Sequence, residues 1–349
     1  MTVASVTIDA GVLAVPYQAG TEEDVHRYVE TLLDWSNLLK ERWLAIYMSD
    51  RASEALLDDG LYPLRDHLSQ LFTAQGIVEY NVNDVATIVD RLLQLTPSFQ
   101  TYFSILDVLT EGLSTEPDIL RFCSGKKLQS DLARCIVLIA ILRQHCQNLI
   151  CDHSMILRYA PGKTVRVRSL IHVLEHERAD LRTLPVPPEH FEGDVLVCDD
   201  FLGLIDCLDE TSILRKATDE IGIETAIRIT VYKSRLALGT VPEWDNVPEY
   251  RVGHAFRLSL QRIELTKQLV RKLLRAIVET LEQTNMASTH WLRTGLGGND
   301  PQRVRANDQA KAWRRDIDRD YHLHYWYCED GIVEIASVSF PHDDFSIPE

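Results

Sequence analysis

A chain of 349 residues exceeds what one small core organises, so length alone sets an expectation of two or three domains. Its 45% hydrophobic and 25% charged residues are those of a globular protein, and its longest apolar run, residues 135–142 (CIVLIAIL), is too short to span a membrane. Seven scattered cysteines make no disulfide framework, and MTVASVTIDAGVL lacks the basic start of a secretory signal, so a cytoplasmic location with reduced thiols is expected. The net charge of −16 opposes bulk attraction to nucleic acid, but it is unevenly spread: residues 251–320 hold 14 Lys/Arg against 8 Asp/Glu. Polyanions dock by local field, so that segment is the one to which RNA or DNA would bind.

In chain order, residues 5–15 (SVTIDAGVLAV) read as a buried strand running into a turn, with Asp9 at its carboxyl end. A helix is predicted over residues 21–42, capped by Thr21 and carrying Val25, Tyr28, Val29, Leu32, Leu33 and Trp35 on helical spacing. Residues 43–48 (WLAIYM) read as a second short strand. Helical patterns then dominate to about residue 149, and a long helical insertion is expected over about 51–190. Residues 193–198 (GDVLVC) form the next strand, ended by Asp199 and Asp200. Helical segments run on to about residue 238. Residues 239–248 (GTVPEWDNVP) have the composition of a linker, and a domain boundary is placed there.

Beyond it come a strand-like segment at 250–260, an amphipathic helix over about 261–284 and a glycine-bearing loop at 294–299. Arg314 and Arg315 read as a basic helix end. The run 321–340 (YHLHYWYCEDGIVEIASVSF) then has the form of a β-hairpin, two β-prone segments around Glu329-Asp330-Gly331. The expected fold class is α+β. A mixed α/β domain (1–238) with its helical insertion is followed by a small antiparallel-sheet domain (249–349).

Three constellations carry chemistry. Arg315, His322, His324 and His342 crowd the C-terminal hairpin. Cleavage of RNA by its own 2′-hydroxyl needs a base, an acid and a cation for the phosphate, and imidazoles with a guanidinium supply all three. Arg271, Lys272 and Arg275, with Arg314, are basic positions suited to a nucleic-acid backbone. Asp9, Asp199 and Asp200 stand at strand carboxyl ends, where converging carboxylates bind Mg²⁺ or Mn²⁺ for phosphodiester hydrolysis. The Cys and His residues of 145–153 do not have the spacing of a zinc finger or ribbon, and a phosphate-binding Gly-rich loop ending in Lys-Ser/Thr is lacking, as is a Gly-x-Ser-x-Gly elbow.

The segment Trp313-Arg314-Arg315-Asp316-Ile317, with Tyr321-His322-Leu323-His324-Tyr325, Glu329-Asp330-Gly331 and His342, resembles the RelE/ParE superfamily of small bacterial toxins, especially its YoeB-like ribonuclease branch. That resemblance covers roughly the last 100 residues. It implies an antiparallel sheet packed by helices, RNA cleavage, Arg315 holding a phosphate and His342 approximating a general acid. The sequence departs from the branch at His322, where an arginine is usual, and in the residues after His342. The runs VTIDAGVL and VLVCDD resemble the strand-terminal aspartates of PIN-like nucleases. Together the two resemblances imply a nucleic-acid-directed effector of a toxin or phage-defence type system. The competing readings are a non-catalytic scaffold that binds a partner protein such as an ATPase, and a nucleic-acid-binding module without catalysis.

Overall fold

A computed structural model describes residues 3–17, 21–146, 152–177, 184–240, 242–295, 299–339 and 346–349. The chain divides into two units between Leu208 and Asp209. The first runs β1 (Ala4–Ile8), α1 (Ala10–Leu13), α2 (Glu22–Leu38), β2 (Leu44–Met48), α3 (Ala52–Asp58), α4 (Arg65–Gln75), α5 (Val82–Leu95), α6 (Phe99–Phe103), β3 (Ile105–Glu116), α7 (Lys126–His145), β4 (His153–Ile156), β5 (Thr164–His176), β6 (Glu189–Cys198) and α8 (Phe201–Cys207). The second runs α9 (Glu210–Lys216), α10 (Glu220–Ala237), β7 (Tyr250–Val252), α11 (His254–Leu260), α12 (Lys267–Leu281), β8 (Thr289–Trp291), β9 (Lys311–Asp316), β10 (His322–Tyr327) and β11 (Val333–Ser339).

The first unit is a six-stranded mixed sheet ordered β2-β1-β4-β6-β5-β3. β2, β1, β4 and β6 are parallel, while β5 and β3 add antiparallel at one edge. Parallel strands are covered on both faces, which is why β1 and β2 read as apolar runs rather than alternating ones. α7 owes its place to residues 135–142, every one buried, a helix apolar all round and therefore sunk in the core. α2 begins where Thr21 and Asp24 cap each other's backbone N–H groups.

The second sheet is ordered β7-β11-β10-β9-β8. Its β8-β9-β10-β11 ladder is antiparallel, but β7 joins β11 in parallel, so the sheet is mixed rather than purely antiparallel as expected. The predicted 321–340 hairpin is present as β10 and β11, with Gly331 at φ 83° in its turn. Burial is complete along β10 from His322 to Trp326. α12, whose apolar stripe includes Leu269, Leu273, Leu274 and Ile277, lies on the Arg315 side, while Ile347 of the C-terminal tail packs with Trp326 and Ala312.

Three sequence expectations are corrected. The 51–190 region is not a helical insertion, since it contributes β3, β4, β5 and the start of β6 to the first sheet. Trp313, Arg314 and Arg315 lie in the strand β9, not at a helix end. The 239–248 segment does not separate the units, because α10 is tied across it: Arg235 pairs with Glu282 at 2.7 Å, Arg228 pairs with Asp245 at 2.9 Å and stacks on Trp244.

Candidate functional site

The carboxyl edge of the parallel strands holds the aspartates of the third constellation. Asp9 follows β1 and caps α1, accepting from Gly11 N–H at 3.0 Å. It is buried, and burial raises its carboxyl to about 7, helped by the nearby charge of Asp131 and opposed by Gly11 and Arg158. Asp131 comes from α7 and is also buried; desolvation pushes its carboxyl up, against a 2.5 Å hydrogen bond from Ser49 Oγ and the charge of Arg134. The loop after β2 is thus latched to α7 twice, since Asp50 also pairs with Arg134 at 2.6 Å. Arg158, after β4, donates to the Ala14 carbonyl at 2.6 Å and lies over the Tyr28 ring.

Asp9 lines a small cavity of about 30 Å³ together with Arg158, Cys123 and Tyr159, room for about one water. A larger depression of about 340 Å³ has Asp131 in its wall, with Arg51, Lys127 and Arg134 around it and Glu54 and Asp58 beside them. A carboxylate held out of water is costly unless a proton or cation sits with it, and both Asp9 and Asp131 are buried. Their hard oxygens suit Mg²⁺ or Mn²⁺. Burial, Asp131 and Asp9 all drive the thiol of the neighbouring Cys135 upward, keeping it neutral in the metal-free protein.

Asp199 and Asp200 are placed differently. They end β6, which is separated from β1 by β4. Asp199 Oδ2 lies 3.4 Å from Ala160 N–H, and Asp200 caps α8 through Gly203 N–H at 2.6 Å. Asp9, Asp199 and Asp200 do not gather within metal-ligand range of one another; among the described residues the only such group of three is Glu22, His26 and Glu79. That group is on the surface, with both glutamates exposed and His26 also bonded to Tyr80. Of the 145–153 histidines and cysteines, Cys146 ends α7 and His153 is a core residue bonded to Ser5 and Thr7, its imidazole lowered to about 3 by burial and Arg143; residues 147–151 lie outside the described residues.

In the second unit the hairpin imidazoles do not look out on an open cleft. Arg315 is 0% exposed and meets Glu279 Oε2 at 3.0 Å and the Thr284 and Asn285 carbonyls at 2.8 and 3.1 Å. His322 is buried with Nε2 at 3.2 Å from Asp316, and buried His324 donates from Nδ1 to the Ser346 carbonyl at 3.1 Å. β10 is covered on both faces, which is the physical reason the predicted cleft fails to form. His342 lies outside the described residues. Of the predicted backbone contacts, Arg271 is exposed, Lys272 pairs with Asp318 at 3.0 Å and exposed Arg275 stands 3.8 Å from Glu279. Arg314 is half-buried on β9.

Sequence reasoning missed Asp131, Arg158, His290 and Asp316. Asp131 had one available signal, an acid one turn ahead of an all-apolar helical run. Comparison of the chain with protein-family models, with curated proteins and with solved structures gave no match.

Proposed function

We propose that the first unit hydrolyses phosphodiesters of nucleic acid with a divalent cation held by Asp9 and Asp131. The observation that carries this reading is two buried carboxylates from separate elements near the carboxyl edge of a parallel sheet, Asp9 beside a small cavity and Asp131 in the wall of a depression that Arg51, Lys127 and Arg134 share with Glu54 and Asp58. A bound Mg²⁺ or Mn²⁺ would supply Lewis-acid activation of phosphate and water. The protein's own residues do the rest: Arg51, Lys127 and Arg134 hold the anionic backbone, Ser49 orients Asp131, and Arg158 favours the ionised form of Asp9. The VTIDAGVL resemblance to PIN-like nucleases supports the same assignment for Asp9, and an effector role of toxin or phage-defence type rests on the two resemblances alone.

The deciding experiment is cleavage of single-stranded RNA and duplex DNA with Mg²⁺, with Mn²⁺ and with EDTA. Cleavage is expected only with metal, and Asp9→Asn or Asp131→Asn should each lower it by about 100-fold or more. Asp199→Asn, which lies outside the pair, should leave most of it. Cleavage that persists in EDTA, or in both variants, overturns the assignment.

A further inference from the structure

The second sheet carries a polar face with no part in that hydrolysis. Register sets His290 of β8, Arg314 of β9 and His324 of β10 side by side, with Asp316, His322 and Ser339 in the next row. Directly paired residues of an antiparallel ladder project to the same face, so these six side chains share it. Asp316 sits between two imidazoles, 3.5 Å from His290 Nε2 and 3.2 Å from His322 Nε2.

Arg314 is the anomaly in this row. Elsewhere in the unit Arg228 meets Asp245, Arg235 meets Glu282, Arg305 meets Asp308 and Glu334, and Arg315 meets Glu279, while half-buried Arg303 also holds its Nε without a partner but lies outside this row. Arg314 meets no carboxylate among the described residues, and its Nε is buried without a partner. A half-buried guanidinium with no counter-ion loses hydration without compensation. In the next row Ser339, 3% exposed, holds its Oγ without a partner as well.

We propose that the β8–β9 part of this face, beside the covered β10, binds a phosphate group of a phosphate ester, with Arg314 as the principal donor. The planar guanidinium matches two phosphate oxygens at once. His290 is half-exposed and uses only Nε2 on Asp316. Its Nδ1 accepts from a protonated phosphate oxygen or, in the imidazolium, donates to a bare one. Asp316 positions both imidazoles. A metal cation does not fit, because Arg314 stands in the middle of the row and Asp316 is already flanked on both sides. This site does not depend on the hydrolysis assigned to the first unit.

The test is calorimetric titration of the full chain with inorganic phosphate in EDTA, which silences the metal site. One saturable site is expected, weakened at least about tenfold by Arg314→Gln and a few-fold by His290→Asn, as loss of charge-assisted bonds implies. Asp131→Asn should bind phosphate as the parent does. Short RNA oligonucleotides with and without a 5′-phosphate then compete: if only the phosphorylated one displaces phosphate the ligand is a terminal monoester, and if both do it is the diester backbone. Arg314→Met should melt no lower than the parent and lose the rise in Tm that phosphate produces. A lower Tm with the rise intact marks Arg314 as merely structural and overturns the proposal, as does undiminished binding in Arg314→Gln or no saturable binding at all. Should neither Arg314 variant fold, the ring protons of His290 decide on the parent chain: movement on phosphate titration supports the site, and constancy overturns it.

Discussion

Arg315 illustrates how one side chain can look catalytic and be structural. Its guanidinium bonds Glu279 and the carbonyls that follow the end of α12, so it closes the helix C-terminus against β9. Removing it strands Glu279 and those carbonyls, and Arg315→Met should destabilise the fold by about 3–5 kcal/mol in denaturant titrations. Arg315→Lys should recover little of this, because an ammonium lacks the fork that reaches several acceptors. A loss below about 1 kcal/mol would contradict this account. Asp9 has a different signature. Its folded carboxyl titrates near 7 and its unfolded one near 3.8, so between those values the folded state binds the extra proton. Its contribution is fully present below pH 4, declines as pH rises and is lost above 7. In metal-free buffer Asp9→Asn should therefore gain stability relative to the parent between pH 4 and 8, by a few kcal/mol at most. A flat difference across that window would mean that Asp9 is not held in its protonated form.

Elements were legible where one pattern governed them. β1, β2, the core of β6 and the β10–β11 hairpin could be read because apolar or β-prone runs ended in clear turns. β3 was not, because its pairing with β5 is broken by three register irregularities, which erase strict alternation and let Asp107, Glu111 and Glu116 pass for a helix surface. β9 was hidden by adjacent arginines that face opposite ways, Arg314 onto the polar face and Arg315 under α12. Asp9 could be read because a strand-terminal acid is a local signal; Asp131 needed α7 to be brought against α1, α3 and the loop after β2, which no local pattern reports. His290 lies in a strand of three residues, too short for periodicity. The tail residues 346–349 carry no periodic pattern, although they finish the core of the second unit. The Ser346 carbonyl accepts from His324, the Pro348 carbonyl accepts from Trp326 Nε1 at 2.7 Å, and Ile347 is buried. Deleting them removes two bonds to buried donors and one apolar side chain, a loss on the order of 4 kcal/mol. Urea unfolding of the truncated chain should give a lower midpoint, and an unchanged one would mean the tail only rests on the sheet.

At the scale of the molecule, charge decides which surface can meet a polyanion. Residues 2–208 hold 17 Lys/Arg against 30 Asp/Glu, and the remainder is nearly balanced at 19 against 22. The proposed hydrolytic site therefore sits in the more acidic unit, and of the three cations at its depression Lys127 pairs with Asp58 and Arg134 with Asp50. The basic excess of residues 251–320 is partly offset by acids elsewhere in its own unit, through Lys267–Asp209, Arg251–Asp330 and Arg305–Glu334. These two surfaces predict different salt dependences. Three phosphate contacts on a single strand give a slope of log K against log salt of about −2, whereas engaging Arg271, Lys272, Arg275 and Arg314 as well would steepen it to about −5. Binding of catalytically silent Asp131→Asn to single-stranded RNA, measured across a salt series, should yield the shallow slope. Replacing Arg51, Lys127 and Arg134 together by glutamine should then reduce the slope to the roughly −0.7 of a single Arg314 contact, while the same change at Arg271 and Arg275 should leave the slope alone. A steep slope that survives the first triple replacement would move nucleic-acid recognition to the second unit and leave Asp9 and Asp131 without a substrate.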